Sequence, residues 1–239
     1  MSRATETVVR ADAEALAEYA AAWLTERAKA AGGRASVCLS GGSTPKRLYE
    51  LLAGPKYRDA FPWQRVHWFW GDERFVPKDD TLSNYRMVRL ALLEATPVPA
   101  GNIHPIPTEG LAPEEAARAY ERELKAFYGA DRLDRDRPLF DVMLLGLGED
   151  GHTASLFPGI AVLEERTRWV AAVVGVTPEA RITLTYPALE SSRDLAFLVA
   201  GPGKREILAQ VRGGTTDLPA ARVRPVGRLH WLLDRAAAA

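Results

Sequence analysis

The sequence predicts an α/β fold in three layers, in which a mostly parallel, Rossmann-like sheet carries helices on both faces. Strand-like and helix-like segments alternate along the 239 residues, which is the pattern of parallel strands joined by helical crossovers. The segment 139–146, LFDVMLLG, is an almost continuous apolar run, as expected of a strand that is covered on both faces. No internal repeat or low-complexity linker divides the chain, so we expect a single domain over residues 1–239.

The helices are predicted from apolar residues at helical spacing and from the residues that begin and end helices. Gly32 and Gly33 end the first, Ala-rich helix, and Pro113 suits the first turn of the fourth. The expected helices cover 11–31, 45–53, 83–94, 113–127 and 203–212.

The strands are predicted from short apolar runs that end at glycine or charged residues. We expect residues 71–81 to form a polar loop and residues 236–239 to be frayed. The expected strands cover 35–40, 66–70, 102–107, 139–146, 170–176, 181–185, 195–200 and 230–233.

Composition and charge argue against several classes of protein. The chain has 31 Lys and Arg residues and 31 Asp and Glu residues, so no overall field favours nucleic acid or a membrane surface. Cys38 is the single cysteine, which excludes an internal disulfide and a cysteine-rich metal site. Neither a signal-like N-terminus nor a run of ~20 apolar residues is visible, so we expect a cytoplasmic protein.

The first candidate motif is LSGGSTP at 39–45, which joins a predicted strand to a helix. Gly41 and Gly42 would let the backbone approach a ligand, and Ser43 and Thr44 would offer N–H groups and hydroxyls to an anion at the helix N-terminus. The motif lacks the lysine of the nucleotide-binding loop and the dinucleotide fingerprint. Ordinary capping of the helix by Ser43 or Thr44 explains the same residues equally well.

The second motif, WGDERFVP at 70–77, places charged residues directly after a predicted strand. Ligands of open α/β sheets bind beyond the carboxyl ends of the strands. There Arg74 can grip a phosphate or carboxylate, and Asp72 can orient a catalytic group. The alternative is a solvated turn with a local Asp72–Arg74 ion pair, which is the commoner role of such residues.

The third motif, GLGEDGHT at 146–153, contains the strongest candidate for a general base. It follows the most apolar predicted strand, and His152 can titrate near neutral pH while Asp150 or Asp72 holds its tautomer. The alternative is that His152 caps a helix that begins near Thr153. The other histidines occupy strand-like or proline-flanked positions and are expected to be structural: His67, His104 and His230.

The fourth motif, AGPGKRE at 200–206, is again a strand end followed by a glycine turn and a helix. Lys204 in the first turn opposes the helix dipole, and an anionic ligand would relieve that cost. We therefore expect Lys204 to bind phosphate and Arg205 to be solvated. Each motif is weak alone, but all four fall at strand ends that would meet at one edge of the sheet, which predicts a single anion-binding, catalytic site.

Together these motifs resemble the 6-phosphogluconolactonase family, within the glucosamine-6-phosphate isomerase/6-phosphogluconolactonase superfamily. The resemblance covers nearly the whole chain, from LSGGSTP to LPAARVRP at 218–225, and GEDGHTASLFPG is its most specific part. It implies a fold similar to that of glucosamine-6-phosphate deaminase and ribose-5-phosphate isomerase. It also implies hydrolysis of 6-phospho-D-glucono-1,5-lactone to 6-phospho-D-gluconate, a step of the oxidative pentose phosphate pathway, without an organic cofactor.

Carried over onto these motifs, the resemblance places the catalytic histidine at His152, a phosphate-binding lysine at Lys204 and the arginine of GDER at Arg74. The related deaminases keep the acid at position 72 and an Asp-Gly-His like that at 150–152, but they have an acidic residue a few positions beyond the histidine. The continuation here, TASLFP, has none. This difference favours a lactonase.

The expected mechanism is general-base hydrolysis that requires no metal. His152 would take a proton from the water that attacks the lactone carbonyl, with Asp72 or Asp150 orienting the imidazole. Backbone N–H groups of the glycine loop and Arg74 would meet the developing oxyanion. The 6-phosphate would be held by three side chains: Ser43, Thr44 and Lys204.

Three alternatives remain open at this point. The nearest is a deaminase or isomerase acting on a related sugar phosphate. A non-catalytic sugar-phosphate sensor would need a DNA-binding segment, and no basic patch stands out. An esterase using Ser43 would need the G-x-S-x-G elbow, which the motif does not fit.

We expect a small-molecule substrate, no nucleic-acid or membrane partner, and a monomer or small homo-oligomer.

Overall fold

The computed structural model describes residues 5–214 and 216–239. Its strands divide into a large and a small sheet. In chain order they are β1 Thr5–Arg10, β2 Ala35–Leu39, β3 Val66–Trp70, β4 Asp72–Arg74, β5 Ile103–His104, β6 Phe140–Leu145, β7 Val170–Val173, β8 Arg181–Leu184, β9 Ser192–Val199 and β10 Arg228–Asp234.

The large sheet has seven parallel strands in the order β1-β10-β9-β6-β2-β3-β5. Its order places β9, β6, β2 and β3 side by side, and each of these four strands ends in one of the four candidate motifs. Since parallel strands present their carboxyl ends at one edge, the order alone brings the four motifs together. The predicted fold class, a mostly parallel α/β sheet with helices, is confirmed.

The helices connect these strands and pack on the sheet and on one another. They are α1 Ala13–Ala30, α2 Ser43–Ala53, α3 Pro55–Arg58, α4 Asn84–Ala91, α5 Pro113–Tyr128, α6 Tyr186–Glu190, α7 Arg205–Arg212, α8 Pro219–Arg222 and α9 Arg235–Ala238. Helix α1 contacts β1, β6 and β10, and α2 packs between α1 and α4. Among the described residues, no helix is both long and apolar enough to cross a bilayer.

The small sheet was not predicted. It consists of β4, β8 and β7 paired antiparallel, and it packs against α5. The expectation of a polar loop over 71–81 is therefore wrong for its first residues, because Asp72 and Glu73 pair with β8 and are buried. The strand β4 was not predicted because its residues are charged, although the side chains of Asp72 and Glu73 are buried.

Other boundaries differ from the predictions at the chain ends and near the helix starts. The strand β1 was missed, and it forms the sheet edge by pairing with β10. The expected fraying of 236–239 is wrong, because Asp234 caps α9 by accepting a hydrogen bond from the Ala237 amide, and Ala237 is buried. The predicted helix 203–212 begins with a 3-10 turn at Pro202–Lys204 and becomes α-helical at Arg205.

Two buried tyrosines fix the ends of β2 and β3. The Tyr49 hydroxyl donates to the Ser40 carbonyl at 2.9 Å and accepts from the Ser40 amide at 3.0 Å. The Tyr120 hydroxyl does the same at Trp70, with distances of 3.0 and 2.9 Å. Burial raises the pKa of both phenols, so both remain neutral donors. Each tyrosine thus satisfies backbone groups where a strand passes into a candidate loop, since Ser40 directly follows β2 and Trp70 is the last residue of β3.

Candidate active site

A cavity of about 570 Å³ opens at the carboxyl edge of the large sheet. Most of its lining residues come from the segments that follow β2, β3, β6 and β9. Nine residues predicted from the sequence all line it: Gly41, Gly42, Ser43, Thr44, Asp72, Arg74, Asp150, His152 and Lys204. Of the four histidines, His152 alone lines this cavity.

The imidazole of His152 is oriented by the neighbouring acid in its own loop. Its Nδ1 atom lies 2.5 Å from Oδ1 of Asp150, and the same oxygen accepts a hydrogen bond from the His152 amide at 3.0 Å. Burial alone would raise the pKa of Asp150, but these hydrogen bonds hold it below its ordinary value. An ionised Asp150 places the proton on Nδ1 and leaves the Nε2 lone pair free to accept a proton.

The glycine before this pair has no space for a side chain. A Cβ atom on Gly148 would lie 2.1 Å from Nδ1 of His152, so the imidazole rests directly on the Gly148 backbone. The Gly148 amide also donates to the His152 carbonyl at 2.8 Å. The ring of Phe157 covers the imidazole with the ring centres 4.6 Å apart. No helix begins near Thr153, so the interpretation of His152 as a helix cap is wrong.

The carboxylate of Asp72 has a different partner. It accepts a hydrogen bond from the Ser155 hydroxyl at 2.6 Å, and both side chains are buried. The sequence did not show whether Asp72 or Asp150 orients the imidazole of His152. In the structure the imidazole is hydrogen-bonded to Asp150.

Helix α2 presents its N-terminus to the cavity without a side-chain cap. The helix starts at Ser43, its N-cap is Gly42 at φ +105°, and no side chain accepts from its first amides. The alternative in which Ser43 or Thr44 caps the helix is therefore wrong. Uncapped amides at a helix start, with no acidic residue in the first turn, are suited to binding an anion.

Gly41 lies against a side chain that the sequence analysis did not single out. A Cβ atom there would lie 2.1 Å from Oδ1 of Asn84, which also lines the cavity. The side-chain Nδ2 atom of Asn84 donates to the backbone carbonyl of Asp72 at 3.0 Å. Asn84 thus connects the glycine loop with the segment that carries Arg74.

Two arginines form one cationic wall. Arg74 and Arg181 are directly paired across β4 and β8, and both line the cavity. Arg74 donates to the Leu82 carbonyl at 2.6 Å, while its Nε is buried without a hydrogen-bond partner in the part of the chain that the structure describes. Burial lowers the pKa of Arg181, and the charge of Arg74 lowers it further. An anion in the cavity would relieve this repulsion. Arg181 was missed because only the antiparallel pairing places it beside Arg74.

Lys204 adds a third cation from the loop after β9. Its ammonium group lies 4.0 Å from Oε1 of Glu149, at the outer limit of an ion pair, and that carboxylate is largely exposed. Such a contact is weak and leaves Lys204 able to bind another anion.

Buried Glu73 organises the segment behind the arginines. It accepts hydrogen bonds from the amides of Arg74, Asn84 and Tyr85 and from the hydroxyl of Ser83. Burial raises the pKa of Glu73, against the opposing effect of these hydrogen bonds. The carboxylate therefore fixes the start of α4 and the position of Asn84.

Among the described residues, no group of three or more His, Cys, Asp or Glu side chains is placed to hold a metal ion.

A parallel α/β sheet with a histidine–carboxylate pair and three cations at its carboxyl edge defines a class of protein that binds small anions and can perform acid–base chemistry. Residues 11–231 match the family model for glucosamine-6-phosphate isomerases/6-phosphogluconolactonase. The chain belongs to this family.

Individual relatives agree with this assignment. The chain is 44% identical over 214 residues to a 6-phosphogluconolactonase of Synechocystis, a match that covers 88% of this chain and 86% of the relative. The structure of 6-phosphogluconolactonase from Trypanosoma brucei superimposes with a TM-score of 0.85 at 30% identity, covering 99% of this chain and 98% of the other. A monomeric glucosamine-6-phosphate deaminase has the same fold, with a TM-score of 0.81 at 21% identity and 98% coverage of each chain.

Proposed function

We propose that this protein is a 6-phosphogluconolactonase, which hydrolyses 6-phospho-D-glucono-1,5-lactone to 6-phospho-D-gluconate in the oxidative pentose phosphate pathway. One observation carries the chemical part of the proposal. The Asp150–His152 pair leaves Nε2 of the imidazole as a proton acceptor inside a cavity with three cations. The Synechocystis relative described above is a 6-phosphogluconolactonase, and so is the Trypanosoma brucei protein, which supports the choice of substrate.

His152 acts as the general base. Its Nε2 atom takes a proton from a water molecule while the water oxygen bonds to C1 of the lactone. Ionised Asp150 stabilises the imidazolium that forms. When the tetrahedral intermediate collapses, the bond between C1 and the ring oxygen breaks, and the imidazolium returns its proton to that oxygen. The products are a carboxylic acid, which ionises, and a free C5 hydroxyl.

The cations and the helix end bind the substrate and stabilise charge. The 6-phosphate is held by Lys204 and by the N-terminus of α2 with Ser43 and Thr44. The Arg74–Arg181 pair raises the affinity for an anionic substrate and, with the backbone amides of the glycine loop, stabilises the oxyanion. No step requires a metal ion or a covalent intermediate.

The decisive experiment compares His152→Ala with the unaltered protein on the lactone, after subtraction of the spontaneous opening measured without protein. Loss of the base lowers kcat by about 10²–10⁴-fold. An unchanged kcat would remove His152 from this role. A parallel assay with glucosamine 6-phosphate measures ammonia, since a deaminase would release it and a lactonase would not.

The remaining expectations extend this proposal. The chain acts as one domain over residues 1–239, in the cytoplasm, as a monomer or a small homo-oligomer, without nucleic acid as a partner. Its expected ligand is a small sugar-phosphate lactone, for which three cationic side chains in the cavity (Arg74, Arg181 and Lys204) are suitable.

A further inference from the structure

The residue two positions after His152 has a strained backbone. Ala154 lines the cavity with φ +48°, and it is the one non-glycine residue of the described chain with a positive φ. It lies in a turn that the Leu156 amide closes by donating to the Thr153 carbonyl at 2.9 Å. An alanine holds this conformation only when the surrounding structure enforces it.

Buried hydroxyl groups anchor the turn on both sides of Ala154. Before it, the Thr153 hydroxyl donates to the Gly146 carbonyl at 2.9 Å, which ties the turn to the end of β6. After it, the Ser155 hydroxyl donates to the Asp72 carboxylate at 2.6 Å. Both anchoring side chains are at most 1% exposed, so water does not compete for these hydrogen bonds.

The acceptor at the second anchor is itself rigid. Asp72 pairs with Thr183 across β4 and β8, and its carbonyl accepts from the Asn84 side chain at 3.0 Å. The Thr183 hydroxyl also accepts from the Ser155 amide at 3.2 Å. The turn is therefore fastened to the small sheet, which carries the two cavity arginines.

We propose that Asp72 and Ser155 are positioning residues, which hold the turn at 153–156 in its strained form and so fix His152 relative to the cationic wall. This inference rests on the proposed function, in which His152 is the base. It reassigns Asp72, because the buried carboxylate serves as a hydrogen-bond acceptor for Ser155 and takes no part in proton transfer. The pair thus links the loop that supplies the base to the sheet that supplies Arg74 and Arg181.

The first test is the substitution Ser155→Ala, with Ser192→Ala as the matched control. Both serines are fully buried, and the Ser192 hydroxyl donates to the Leu189 carbonyl outside the cavity. We expect Ser155→Ala to lower kcat about 10- to 100-fold, which is the loss of rate expected when a catalytic group is displaced from its productive position. KM should change less than about twofold. Ser192→Ala leaves kcat within about twofold. An unchanged kcat in Ser155→Ala overturns the proposal.

The second test separates positioning from proton transfer at Asp72. The amide oxygen of Asp72→Asn can still accept from Ser155, so this variant retains most of kcat, whereas Asp72→Ala loses as much as Ser155→Ala. The double variant Asp72→Ala with Ser155→Ala should lose no more than the worse single variant, since both changes break one hydrogen bond. An Asp72→Asn protein as inactive as Asp72→Ala at every pH contradicts the assignment.

The third test addresses the strained turn without touching Asp72. Glycine adopts a positive φ freely, so Ala154→Gly removes the need for the Ser155 anchor. The double variant Ala154→Gly with Ser155→Ala should therefore regain part of the kcat lost in Ser155→Ala. No recovery at all overturns the role of strain. If instead His152→Ala keeps full activity, it is the proposed function that fails, so the two failures are distinguishable.

Discussion

Asp150 holds His152 through two hydrogen bonds to one oxygen atom. Oδ1 of Asp150 accepts from both the amide and the ring Nδ1 of His152, which fixes the tautomer and the orientation of the imidazole at once. The arrangement is formed entirely within three consecutive residues of one loop. The geometry of this histidine–carboxylate pair therefore does not depend on two distant segments meeting.

Replacing this acid should impair the chemical step. In Asp150→Asn the charge that stabilises the imidazolium is lost, and the amide can present an N–H group to Nδ1, which favours the wrong tautomer. We expect kcat to fall by about 10²-fold or more, with a small change in KM, in steady-state assays of lactone hydrolysis. A kcat within twofold of the unaltered protein would show that Asp150 is not the orienting acid.

Lys204 and its neighbour Arg205 offer a matched pair for phosphate binding. Lys204 lines the cavity, while Arg205 is exposed and donates a long, 3.5 Å hydrogen bond to the Ala236 carbonyl. Lys204→Gln should raise KM about tenfold or more, since a charge-assisted contact to phosphate is lost, and Arg205→Gln should leave KM unchanged. The effect must disappear with an unphosphorylated lactone. An equal loss on that substrate would argue against phosphate contact.

Gly148 should be intolerant of alanine for a reason that concerns activity more than folding. The added methyl group would collide with the imidazole, a side chain that can swing away at small cost to the fold. Gly148→Ala should therefore lower kcat by about 10²-fold or more while the melting temperature changes little. Gly101→Ala is the control, because nothing lies within 4 Å of a Cβ atom there. A fully active Gly148→Ala would mean that His152 works from another position.

His67 should make stability depend on pH. Burial, with the nearby charges of His104 and Arg34, lowers the pKa of His67 from 6.5 to about 4. Between these values the unfolded chain binds a proton at His67 and the folded protein does not, so stability falls as the pH drops from about 6.5 to about 4. His67→Phe, which keeps the ring packing against Phe127, should flatten this dependence. Melting temperatures measured from pH 7 to pH 4 would test it, and parallel curves for the two proteins would contradict it.

The four loops could be located from the sequence because each follows a local signal. An apolar run that ends in glycine marks a strand end, and strand ends of a parallel sheet share an edge. Their convergence needed only that β9, β6, β2 and β3 be near one another, and the structure makes them adjacent. The positions of His152 and Lys204 at the cavity were predictable for the same reason.

What the sequence could not supply are contacts between distant segments. Arg181 reads as the start of an ordinary strand, and its importance follows only from its pairing with Arg74. The position of Asp72 at a strand end suggested a catalytic acid, yet its carboxylate accepts a hydrogen bond from the Ser155 hydroxyl. The strand β4 was hidden because burial of charged residues depends on partners such as the Ser83 hydroxyl and the amides that satisfy Glu73.

The hydroxyl groups of Tyr49 and Tyr120 have a consequence for anyone who would re-engineer this protein. A search for greater thermal stability would treat both positions as core and would readily accept phenylalanine, which keeps the ring and removes a polar atom. Each such change would leave the backbone groups of Ser40 or Trp70 without their partner, directly before the glycine loop and the arginine segment. In this fold the stability of the core cannot be optimised separately from the geometry of the cavity. Two tyrosine hydroxyl groups inside the core hold the backbone from which the cavity loops start.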